Sequence, residues 1–139
     1  MKVTPENIRA LKPNQVFVFG SNLAGHHAAG AALHAFINYG AIGGQGEGIM
    51  GNCYALPTKD AQIQTLPLET IQFYVDQLHS VVTRFLETEF LITAVGTGLA
   101  GLTVEQMAPM FRDFMGLPNV SLPKDFIEYL KATTIVNET

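Results

Sequence analysis

A chain of 139 residues, 47% apolar and 14% charged, has the makings of one folded domain (residues 1–139) with a substantial core; this composition excludes a disordered tail. Its net charge of −4, with eight Lys and Arg and no basic cluster, argues against a nucleic-acid polymer as partner. No apolar run approaches the roughly 18 residues that span a bilayer, and the lone Cys53 excludes an intrachain disulfide and a multi-cysteine zinc site. The first ten residues carry Lys2, Glu6 and Arg9 and lack a signal-peptide core, so the expected location is cytoplasmic, away from membranes.

In chain order, Thr4-Pro5-Glu6 reads as an N-cap with proline at the first helical position, predicting a short helix through Leu11. Gln15 to Phe19 is a near-continuous apolar run between Pro13 and Gly20, the pattern of a strand covered on both faces. A turn of small residues leads into a helix over Ala29 to Tyr39, with Gly40 as its C-cap. Residues 40–52 hold six glycines and read as a mobile loop, whose 43–51 portion is either a lid or slack chain. Cys53 to Leu56 forms a short strand stopped by Pro57. Glu69 to Leu86 is the clearest helix, with Ile71, Tyr74, Val75, Leu78, Val81, Val82 and Phe85 on one face. Phe90 to Val95 is a second buried strand, and Thr103 to Gln106 has the form of a capping box. Asn119 to Leu122 is a last strand, before a helix opened by Pro123 that frays near Thr133. The alternation predicts an α/β fold: three α/β/α layers around a mostly parallel sheet, with ligands at the carboxyl ends of its strands.

Two glycine-rich loops sit at such ends. In the first, Gly20-Ser21-Asn22, Gly25-His26-His27 and Gly30 join a strand to a helix. In the second, Gly96-Thr97-Gly98-Leu99-Ala100-Gly101 does the same. Small residues let backbone N–H groups approach a phosphate, and a helix start favours negative charge; the same glycines also serve tight turns. The spacing is neither a GxGxxG fingerprint nor a P-loop. Asn22 either bonds ribose hydroxyls or caps its own backbone. Lys59-Asp60 is either a solvated turn or a pair whose Lys59 meets a phosphate or acts as base or nucleophile, and Cys53 reads as a small core residue. The adjacent His26 and His27 have no Asp, Glu or Cys ligand beside them, so a ligand ring or phosphate is expected there and no metal.

These segments carry a resemblance. Phe17-Val-Phe-Gly-Ser-Asn-Leu-Ala-Gly25, Gly30-Ala-Ala-Leu-His34, Gln45-Gly-Glu-Gly48, Tyr54-Ala-Leu-Pro-Thr-Lys-Asp60 and Gly96 to Gly101, in this order, resemble a set of phage and bacterial proteins. That set is similar to the macrodomains, which bind ADP-ribose. The resemblance implies a macrodomain-like fold, Asn22 at the distal ribose, Gly25 to Gly30 around that ribose and the diphosphate, and Gly96 to Gly101 clasping the phosphates. It also places Lys59 where the branch that cleaves ADP-ribosyl esters carries a lysine. That branch has an aspartate just after Gly-x-Gly-Leu, where this chain has Ala100, leaving Asp60 as its substitute. The Gly-Asp-Ile segment with which macrodomains hold adenine has no counterpart here. Three functions follow, in descending order: binding of ADP-ribose or a related nucleotide without a cofactor, ADP-ribosyl hydrolysis by Lys59 and Asp60, and a phage-type interaction domain. The last would join a protein partner or a second copy of itself through the exposed-looking Ile49-Met50 loop.

Overall fold

The computed structural model describes the backbone of residues 1–138 and the side chains of residues 1–134. Its strands are β1 (Lys2–Val3), β2 (Gln15–Asn22), β3 (Gly48–Met50), β4 (Cys53–Lys59), β5 (Glu89–Ile92) and β6 (Val120–Leu122). Its helices are α1 (Gly30–Asn38), α2 (Leu68–Arg84), α3 (Val104–Met107) and α4 (Lys124–Glu138), with a 3-10 segment over Ala108–Phe114. The six strands make one sheet in the order β1-β6-β5-β2-β4-β3, parallel except for β3.

Strand alternation divides the core in two. Val16, Val18, Tyr54, Leu56, Phe90, Ile92, Val120 and Leu122 face Ile71, Val75, Leu78 and Val82 of α2, Phe111 and Phe114 of the 3-10 segment, and Phe126 and Leu130 of α4. On the opposite face, Phe17, Phe19, Cys53 and Ala55 meet Ala35, Tyr39 and Met50. Helices therefore cover both faces, as the alternation predicts. The chain leaves β2 through α1 for β4 on one side, then crosses the other face through α2 to reach β5 on the far side of β2. Connections diverging from neighbouring strands open a crevice at their carboxyl ends, here those of β2 and β5.

Several local expectations are overturned. Residues 4–11 form no helix. Thr4 continues the β1 pairing, its N–H donating to the Leu122 carbonyl at 2.8 Å. The Ile8 carbonyl then accepts from His34 Nε2 at 2.8 Å and from the Tyr39 hydroxyl at 3.2 Å, while Ile8 and Leu11 pack on the second core. A helix this short is marginal on its own, and the extended arm covers apolar surface that α1 leaves open. β2 runs three residues beyond Phe19, and β4 passes through Pro57. Pro57 is tolerated because β3 pairs only with Cys53 to Ala55 and a bulge falls between Ser21 and Asn22. The glycine-rich loop contains β3, and within it Ile49 is exposed whereas Met50 is buried. The last helix continues past Thr133, where Arg112 donates to the hydroxyls of Thr133 and Thr134, each at 2.9 Å. The capping box at Thr103 and Gln106 is present, and Asn119 donates its buried amide to the carbonyls of Val82, Phe85 and Thr88 near the end of α2.

Cys53 is fully buried, its thiol donating to the Met50 carbonyl at 3.1 Å, and burial pushes its pKa up to about 11. Tyr54 is likewise pushed up to about 12, by burial first and by the Glu47 charge second. Folding favours the neutral form of both groups. Their contribution is whole below pH 9 and is lost as pH rises toward 11 and 12, by about 2–3 kcal/mol for the thiol alone. Urea melts between pH 8.5 and 11 should show this decline, and Cys53→Ala should remove the part that sets in near pH 9, leaving that of Tyr54.

Candidate functional site

A cleft of about 290 Å³ opens at the carboxyl ends of β2, β4 and β5. One wall is the start of α1, Ala28 to Ala32; the other is the loop after β5, Thr93 to Gly96 and Gly98 to Ala100. Gly20, Ser21, Asn22, Thr58 and Lys59 form the base, and His26 and Ile63 stand at the edge.

The α1 wall is a helix start without a side-chain cap. Ala29 occupies the N-cap position in extended conformation, and its alanine side chain cannot accept a hydrogen bond. The first intrahelical donor is Leu33, whose N–H reaches the Ala29 carbonyl at 3.2 Å. The N–H groups of Gly30, Ala31 and Ala32 are left without an acceptor among the described residues. Across the cleft, the second loop is pinned from below. Thr93 gives both its N–H and its hydroxyl to the Val18 carbonyl, at 3.1 and 2.7 Å. Thr97 bonds the Ala94 carbonyl, and Leu102 N–H closes the loop on the Gly96 carbonyl at 2.9 Å. The N–H groups of Gly98, Leu99 and Ala100 make no bond to the described residues. Two sets of free donors therefore border one cavity.

The charged side chains in the lining are Lys59 and, when protonated, His26; no carboxylate lines it among the described residues. In a chain with 12 acidic residues this makes the cleft locally favourable to an anion. No group of three or more His, Cys, Asp or Glu side chains that could hold a metal is found among the described residues.

The structure brings Gly20, Ser21, Asn22, His26, Gly30, Lys59, Gly96, Gly98, Leu99 and Ala100 together at the cleft. It gives other expected residues structural work. Gly25 lies outside the lining, at φ +69 against the backbone of Gly44 and Gln45. His27 is buried, with Nε2 3.0 Å from the carbonyls of both Ile42 and Gln45, and its ring packs edge-on to Phe19. Thr97 and Gly101 hold the turn and do not face the cavity. Asp60 spends Oδ1 on the N–H groups of Gln62 and Gln64, at 2.9 and 3.0 Å, and makes no ion pair with Lys59. Asn22 clasps its own loop: Oδ1 accepts from His26 N–H and Nδ2 donates to the His26 carbonyl, each at 2.9 Å. Ser21 donates to the Gly46 carbonyl, tying the cleft base to the glycine-rich loop.

Sequence reasoning missed the alanines before and within the first turn of α1, and Ile63. The absence of Ser, Thr, Asp or Asn before the helix was the available signal for the former. Nothing in the sequence marks an isoleucine as standing at the mouth of a cleft.

No protein-family model, curated protein or solved structure matches the chain. No helix among the described residues is long and apolar enough to cross a membrane.

Proposed function

We propose that the cleft binds ADP-ribose or a related phosphorylated nucleotide on a macrodomain-like fold, with the phosphates between the start of α1 and the Gly98–Ala100 amides. The observation that carries this reading is the pair of unpartnered donor sets on opposite walls of one cavity. A helix start and a loop of free amides supply fixed partial positive charge to a diphosphate without basic side chains. Lys59 adds a full charge at the base of the cleft. The order of the resembling motifs supports the same class of ligand.

Binding is favoured over hydrolysis. Turnover of an ADP-ribosyl bond needs a base or nucleophile near the anomeric carbon, and Asp60 is committed to its turn. Isothermal titration with ADP-ribose beside AMP, ADP and NAD tests the reading. The expected result is micromolar binding of ADP-ribose, weakened about tenfold by Lys59→Ala and by rising salt. Folded protein that gives no heat with any of the four would sink it and bring the interaction surface forward.

A further inference from the structure

Beyond the cleft, on the other side of Ile63, lies a second hollow of about 510 Å³. The two share His26, Ala28 and Ile63 in their linings, so they lie side by side. The second hollow differs in chemistry. The backbone of Gly25, Gly43 and Gly44 and the half-exposed ring of Phe36 line it, and its titratable side chains are His26 and His27 alone. His27 spends Nε2 on the Ile42 and Gln45 carbonyls and keeps a buried Nδ1 without a partner. Its ring lies 6.4 Å from that of Phe36, tilted by 38°.

Ile63 stands between the hollows in an unusual backbone conformation. Its φ is +63, the one positive value among the described non-glycine residues, and β-branched side chains rarely adopt it. The turn is enforced by Asp60, whose side chain takes two amides and whose N–H reaches the Gln64 carbonyl at 2.7 Å. Ile63 belongs to neither core cluster and is 40% exposed. Strain of this kind concentrates where a side chain serves a ligand.

We infer that the hollow beyond Ile63 is a subsite for a flat, uncharged ring borne by the ligand whose phosphates occupy the cleft, with Phe36 and Ile63 as its contact surfaces. This assignment rests on the nucleotide reading. The occupant is a ring because the lining offers an aromatic face, an aliphatic wall and peptide planes, with no lysine or arginine for a further phosphate. The shared residues His26, Ala28 and Ile63 put the occupant within reach of the ligand in the cleft.

Titrating ADP-ribose, ADP and inorganic pyrophosphate into wild type, Phe36→Ala and Ile63→Gly tests this. Phe36→Ala should weaken the two nucleotides about tenfold, as expected for loss of one stacked ring, and leave pyrophosphate unchanged. Ile63→Gly should also weaken the nucleotides, by removing the aliphatic wall, and leave pyrophosphate unchanged. Nucleotide affinities unaltered by Phe36→Ala would overturn the subsite while leaving the cleft reading standing. Wild type that binds neither nucleotides nor pyrophosphate would remove the cleft reading itself and the subsite with it.

Discussion

Gly25→Ala is expected to destabilise the protein by about 3–5 kcal/mol, at the high end of single substitutions, although the residue lies in a loop. Two effects combine. At φ +69 any Cβ costs about 1–2 kcal/mol. The larger effect is collision, because a Cβ there would run into the backbone of Gly44 and Gln45, which cannot rotate away as a side chain does. Separating the two segments would break the bond from Gly44 N–H to the Gly25 carbonyl and loosen the Ser21 and His27 contacts to the same loop. Gly43→Ala is the control, since its Cβ would meet nothing within 4 Å and its φ is ordinary. Chemical denaturation of both variants checks the difference, and equal stabilities would mean that the two loops are not locked together.

The same contact explains which parts of the fold the sequence discloses. Buried strands are legible because a run such as Val16 to Phe19 has apolar side chains for both faces, and α2 because its spacing repeats over four turns. The N-terminal arm is illegible because Thr4-Pro5-Glu6 carries a local helix signal that tertiary bonds to β6 and α1 override. β3 is hidden among glycines that provide backbone proximity and no pattern. Gly46, for instance, sits so close to Asn22 that a side chain would strike the Asn22 carbonyl.

The candidate site follows the same rule. Both glycine-rich loops are legible as loops at strand ends, and residues of both line one cleft. Roles within each loop were not visible, since they depend on which way each residue faces. His26 and His27 are neighbours in sequence, yet one borders the cleft and the other is buried against Phe19. Lys59 and Asp60 part in the same way, the lysine toward the cavity and the aspartate into its own turn. Asn22 holds both properties, bordering the cleft while its amide closes the loop, so that Asn22→Ala would open the loop as well as remove a potential ligand contact.

Gly98→Leu should therefore separate binding from folding more cleanly than any change at Asn22. Gly98 lines the cleft, its φ lies outside the left-handed region, and a Cβ built on it meets nothing within 4 Å. The leucine side chain would project into space that a phosphate needs and shield the neighbouring amides of Leu99 and Ala100. Its expected effect is a loss of ADP-ribose affinity of about 100-fold, close to 3 kcal/mol, with the melting temperature within about 2 °C of wild type. Gly96, two residues earlier, permits no such separation. At φ +79 its Cβ would meet Met107 Sδ at 2.7 Å, so Gly96→Leu would disturb the core and the loop together. Gly98→Ala supplies the intermediate case, adding one methyl group to the same open space. Affinity falling from glycine through alanine to leucine at constant stability would put the phosphate against the Gly98–Ala100 amides. Wild-type affinity in a folded Gly98→Leu protein would mean that the ligand does not use this wall, leaving the start of α1 without its opposing partner.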